Sequence, residues 1–73
     1  MTITYRITLT DDTGSRNSIG LAESANGTAR NQVQRFDGAA DLAFIDVPDA
    51  DCAAYLEQLM DADANVISYQ VRA

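Results

Sequence analysis

The amino-acid sequence predicts an α+β fold, an antiparallel sheet with helices packed on one of its faces. Three observations carry that reading. Thr2 to Thr10 alternates polar and apolar residues, Asp37-Gly38 separates two strand-like runs, and Asp49 to Asp63 places its apolar residues at helical spacing.

In the first segment Ile3, Tyr5, Ile7 and Leu9 share one face, and Thr4, Arg6, Thr8 and Thr10 the other. Alternation with many β-branched residues marks a half-buried strand. Asp11-Asp12-Thr13-Gly14 follows with residues typical of a turn. Ser15 to Phe36 admits two readings. Ile19, Ala22 and Ala25 are spaced for a helix, with Ser15 as its cap and Asn26-Gly27 closing it in the left-handed conformation. Alternatively Asn26-Gly27 is a type I′ turn between two polar strands. The flanks of that turn alternate poorly, which favours the helix. Asp37-Gly38 then joins Gln32–Phe36 to Ala39–Val47 as a hairpin. Leu42, Phe44, Ile45 and Val47 make the second of these runs a candidate central strand, and Pro48 ends it. Between Asp49 and Asp63 the residues Cys52, Tyr55, Leu56, Leu59 and Met60 form one stripe of an amphipathic helix. Asn65 to Val71 reads as a terminal strand. The resulting order, βαββαβ, is that of a ferredoxin-like fold with both helices on one face. If Ser15–Phe36 is a hairpin, the fold is instead a four- or five-stranded antiparallel sheet with a single helix at 49–63.

A chain of 73 residues is expected to form a single domain, residues 1–73, with a small core. No apolar run approaches the roughly 20 residues of a membrane span, and Met1 to Thr10 lacks the apolar stretch of a signal peptide. Cys52, the one cysteine, has no internal partner, which suits a reducing compartment. These features together predict a soluble, cytoplasmic protein. The formal net charge is −6, with no lysine or histidine. Residues 1–36 hold three acids and four arginines, whereas residues 37–73 hold eight acids and only Arg72. The second half therefore carries the whole negative balance. Such a surface is expected to repel nucleic acid and anionic membrane and to attract basic protein surfaces.

Several apparent motifs fail on context. Asp12-Thr13-Gly14-Ser15 copies the tetrapeptide of aspartic proteases, but Thr10 and Asp11 stand where apolar residues should precede it, and the chain is too short to duplicate it. Asp61-Ala62-Asp63-Ala64-Asn65 offers the first three ligand positions of an EF-hand loop. Its sixth position is Val66 in place of glycine and its twelfth is Arg72 in place of glutamate. Cys52 lies on the apolar face of its helix, with no histidine to act as its base, and reads as a core residue. The four glycines form no phosphate-binding loop. RNA-binding members of the fold need exposed aromatics on a basic sheet, and copper-binding ones a paired-cysteine loop; the sequence points to neither. The expectation is a protein that is not an enzyme, with no cofactor, no metal and no direct nucleic-acid or membrane binding.

The acids then become the candidate site. Asp49 and Asp51 suit a helix start, where they cap free N–H groups and complement the dipole, and Asp37 suits its turn. Glu57, Asp61 and Asp63 have no such explanation. Glu57 and Asp61 are a like-charged i, i+4 pair, and Asp61 and Asp63 sit at the helix end that disfavours anions. Either they only solvate the surface or they bind a partner. The expected interface is Glu57, Asp61 and Asp63, with Asp46, Asp49 and Asp51 beside them.

Two resemblances bear on function. Phe44-Ile45-Asp46-Val47-Pro48, followed by a helix and then Asn65-Val66-Ile67-Ser68, resembles the C-terminal half of the small phycobilisome linker domains over residues 44–68. That likeness implies a structural or assembly module binding a protein partner. In size, charge, compact α/β character and lack of catalytic residues, the chain is also similar to the small acidic inhibitors of phages and mobile elements, including anti-CRISPR proteins. This second likeness implies an inhibitor in the host cell cytoplasm. Its carboxylates would take the place of nucleic-acid phosphates in a basic site on a nucleic-acid-binding protein, with Arg6, Arg16, Arg30 and Arg35 turned away. The sheet edges leave a homodimer open.

Overall fold

Alternation dictates the first strand, β1 (Ile3–Leu9). Tyr5, Ile7 and Leu9 are buried, while Arg6 between them is exposed. The computed structural model describes residues 1–33 and 41–72, with the side chains of 1–10, 18–30 and 42–72. It continues with α1 (Asp11–Ser24), β2 (Thr28–Val33), β3 (Asp41–Val47), α2 (Ala50–Ala62) and β4 (Val66–Arg72). The strands form one sheet in the order β2-β3-β1-β4, antiparallel at every pairing. Each helix thus links two strands separated by a third, and both helices pack on the same side. This is the ferredoxin-like α+β arrangement predicted above.

α1 departs from expectation at its start. It begins at Asp11 behind an extended Thr10, not at Ser15, so Asp11-Asp12-Thr13-Gly14 is a first helical turn and not a reverse turn. Aspartate is favoured in both settings, by the dipole of a helix start and by turn geometry, and here the helix prevails. The helix end matches the left-handed closure. Asn26 has φ 58°, its N–H donates to the Glu23 carbonyl (3.2 Å), and the Gly27 N–H donates to the Ala22 carbonyl (2.7 Å). These two bonds make a Schellman motif, which rules out the rival hairpin at this dipeptide. Gly27 must be glycine because β3 runs close by: a Cβ there would lie 2.4 Å from the Asp46 carbonyl oxygen. The chain leaves this motif directly into β2, which begins at Thr28, ahead of the expected Gln32. The Asp37-Gly38 hairpin turn lies outside the described residues.

α2 forms as its periodicity requires. Asp49 caps it by accepting the Cys52 N–H at 2.9 Å. Ala53, Leu56 and Met60 are buried against the sheet, with Cys52 and Leu59 packed beside them. From α1 and its C-cap come Leu21, Ala22 and Ala25, and from β3 Ala43, Ile45 and Val47. Ile19 and Tyr55, expected in the two helical stripes, are 45% and 47% exposed instead. β3 is central, as its apolar run predicts. β4 is an edge strand with a bulge: Thr8 pairs with Ser68 and Leu9 with Val66, leaving Ile67 between them. Among the described residues no helix is long and apolar enough to cross a membrane.

Candidate functional site

α2 meets the sheet beside β1 and β4 through small side chains, and small side chains leave space. Ala50, Ala53 and Ala54, together with Ile3, Tyr5 and Val71, line an open cleft of about 560 Å³. Its polar lining is Glu57, Gln58 and Asp61. The floor is apolar and the charged part of the lining is wholly anionic.

Two tyrosines fix the carboxylates of this cleft. The Tyr5 hydroxyl donates to Glu57 Oε2, and the Tyr69 hydroxyl donates to Asp61 Oδ1 at 2.7 Å. The two rings meet edge-to-face, with centroids 6.0 Å apart. The carboxylates in turn hold the phenols protonated. Burial, reinforced by Glu57, pushes Tyr5 well above its ordinary value, and the hydrogen bond to Asp61 pushes Tyr69 up to about 12. Asp63 Oδ1 accepts the Asn65 N–H at 2.8 Å where the helix ends. Glu57, Asp61 and Asp63 therefore do have structural roles, contrary to the sequence reading. Of the partners of the first two, Tyr5 comes from a strand remote in sequence and Tyr69 from the strand that follows α2.

The six expected interface residues do not form one patch. Glu57 and Asp61 line the cleft, with Asp49 and Asp51 at one end of α2 and Asp63 at the other. Asp46 is elsewhere. It alternates with the buried Ile45 and Val47, so it points to the side of the sheet away from the helices. There Arg30 donates to it through Nε and through Nη2 (3.3 Å), and Thr4 Oγ1 donates at 2.5 Å. The Arg30 guanidinium holds the Asp46 carboxyl below its usual range. This is the one ion pair among the described residues.

That open face carries three arginines around one half-buried aromatic, a grouping the sequence reading did not anticipate. Register places Arg30, Phe44, Arg6 and Gln70 in a row across β2, β3, β1 and β4. The next row is Thr28, Asp46, Thr4 and Arg72. Phe44, half-buried, has the Arg72 guanidinium 5.1 Å and the Arg30 guanidinium 5.8 Å from its ring centroid. Sequence alone carried one usable signal: Arg6 and Phe44 each alternate with core residues, so each must face away from the helices.

Among the described residues no group of three or more Cys, Asp or Glu side chains is arranged to hold a metal ion. By fold and surface the chain is a ferredoxin-like domain with an acidic helical side and an arginine-bearing sheet side. Comparison with protein-family models, curated proteins and solved structures finds no match.

Proposed function

We propose that this protein is a non-enzymatic binding protein whose α2 side docks on a basic site of a protein partner. The supporting observation is the pair Glu57 and Asp61, oriented over an apolar cleft by tyrosine hydroxyls and paired with no arginine among the described residues. Carboxylates ordered in advance lose little freedom on binding, and an unneutralised anionic rim is complementary to lysine and arginine. In its finer form the partner is a nucleic-acid-handling protein, and the acids of α2 occupy the channel that its polyanion would fill. The protein then acts as an inhibitor of the phage or mobile-element kind.

Wild-type protein and the isosteric variant Glu57→Gln/Asp61→Asn/Asp63→Asn, immobilised in parallel, test this on the heparin-binding fraction of a cell lysate. The wild type should retain proteins that rising salt and added DNA both displace, and the variant should lose them. Retention of the same proteins by the variant would overturn the reading. A second reading, an assembly module, draws on β4: this edge strand exposes Ile67 (59%) and Val71 (57%). Binding along that edge would resist salt and survive the triple substitution.

A further inference from the structure

We infer that the open face of the sheet is a second, independent binding site, and that its ligand is single-stranded nucleic acid, with a base stacked at Phe44 and phosphates taken by the arginines around it. The three arginines whose side chains are described, Arg6, Arg30 and Arg72, all lie on this face. Arg30 is partly neutralised by Asp46, whereas Arg6 and Arg72 have no carboxylate partner among the described residues. Two polar hollows lie on this face. Thr2, Thr4, Arg30 and Arg72 line one of about 300 Å³, and Arg6, Thr8, Ser68 and Gln70 contribute to another of about 270 Å³. Guanidinium beside hydroxyl is the chemistry that holds a phosphate.

The aromatic ring decides between polyanions. An acidic peptide would use the arginines and leave the Phe44 ring to the Arg30 and Arg72 guanidiniums that already lie over it. A single strand uses both, because every base has a face to stack and every linkage a charge to neutralise. The net charge of −6 opposes any polyanion, but the acids of α2 lie on the other side of the sheet from this face. Binding is accordingly weak and salt-sensitive, and it does not depend on the cleft.

Fluorescence anisotropy of the full chain with labelled oligothymidylate and oligouridylate of about twelve nucleotides tests the site, spanning the few nucleotides that one sheet contacts. Polyglutamate serves as a competitor without bases. Saturable binding at low salt is expected. Phe44→Leu should weaken it about tenfold, as for loss of one stacked base, and Phe44→Tyr should restore it. Arg6→Gln/Arg72→Gln should flatten the salt dependence by roughly two counterions. Amide resonances of Arg6, Phe44 and Arg72 should shift on titration while those of α2 stay still. The triple carboxamide variant of α2 should bind oligonucleotide at least as well as wild type, so failure of the cleft and failure of this face are separately visible. No binding at low salt, equal affinity for Phe44→Leu, competition by polyglutamate as strong as by oligonucleotide, or shifts confined to α2 would each overturn the inference.

Discussion

On the helix side of the sheet Tyr5, Ile7, Leu9, Ile45 and Val47 are sealed from water, whereas on the other side Thr4, Arg6, Thr8, Phe44 and Asp46 remain in contact with it. The same strands supply both sets, because successive side chains point to opposite faces. What differs is the covering layer. Two helices close one face and nothing among the described residues closes the other. Stability is thus concentrated on the helix side, and the open side tolerates groups chosen for other reasons. The sharpest contrast is between Leu56, completely buried in α2, and Phe44. Leu56→Ala removes a fully buried core side chain and should cost about 2–5 kcal/mol. In a domain this small that approaches the whole stability. Phe44→Leu on the open face should cost far less. Chemical denaturation of both variants checks the comparison, and equal losses would mean that the open face is a second core.

Between these extremes lies the Tyr5 hydroxyl, which belongs to both the core and the cleft. Tyr5→Phe keeps the ring and deletes the donor to Glu57. A hydrogen bond to a charged group is typically worth more than a neutral one, and the loss should be about 1–2 kcal/mol. The same bonds make the protein sensitive to alkali. Both phenols keep their protons above the ordinary value near 10 in the folded state, Tyr69 to about 12. Their contribution is intact below about pH 10 and is lost as pH rises through the folded-state values. Absorbance at tyrosinate wavelengths should show Tyr5 and Tyr69 ionising late, and Tyr5→Phe/Tyr69→Phe should remove most of the fall in stability across that range. Titration of Tyr5 and Tyr69 at the ordinary value would show that the carboxylates are not held as described.

The readable parts of the fold were those with local causes. The alternation of β1, the stripe of α2 and the cap at Asp49 depend on neighbours a few residues apart. Asn26-Gly27 was ambiguous because one dipeptide serves both a Schellman motif and a type I′ turn, and only the bonds back to Ala22 and Glu23 separate them. The extra turn of α1 was hidden because Asp11-Asp12 suits a turn as well as a helix start. The surface was harder. Glu57 looked unexplained because Tyr5 is 52 positions away, and Asp46 looked like a member of the acidic patch because Arg30 reaches it only across a strand pairing. The clustering of Arg6, Arg30 and Arg72 about Phe44 follows from register, which alternation constrains only to one residue in two.

The smallest expected effect tests whether the two faces are electrostatically separate. Asp46→Asn removes the one carboxylate that, among the described residues, is placed with the arginines of the open face. Its ion pair with Arg30 is solvent-exposed, with 45% of the arginine side chain accessible, so solvent and salt screen it and its removal should shift the melting temperature by a few degrees at most. The sign with pH is fixed. Because Arg30 holds this carboxyl below its unfolded value, its contribution is present above about pH 4 and lost as pH falls through the lowered value. The acid limb of the wild-type stability curve should accordingly be slightly steeper than that of the variant. Asp46→Asn should also free Arg30, tighten oligonucleotide binding on the sheet and leave the salt-sensitive partner of α2 unaffected. If that partner is lost instead, the two faces form one continuous surface and Asp46 belongs with Glu57 and Asp61 after all.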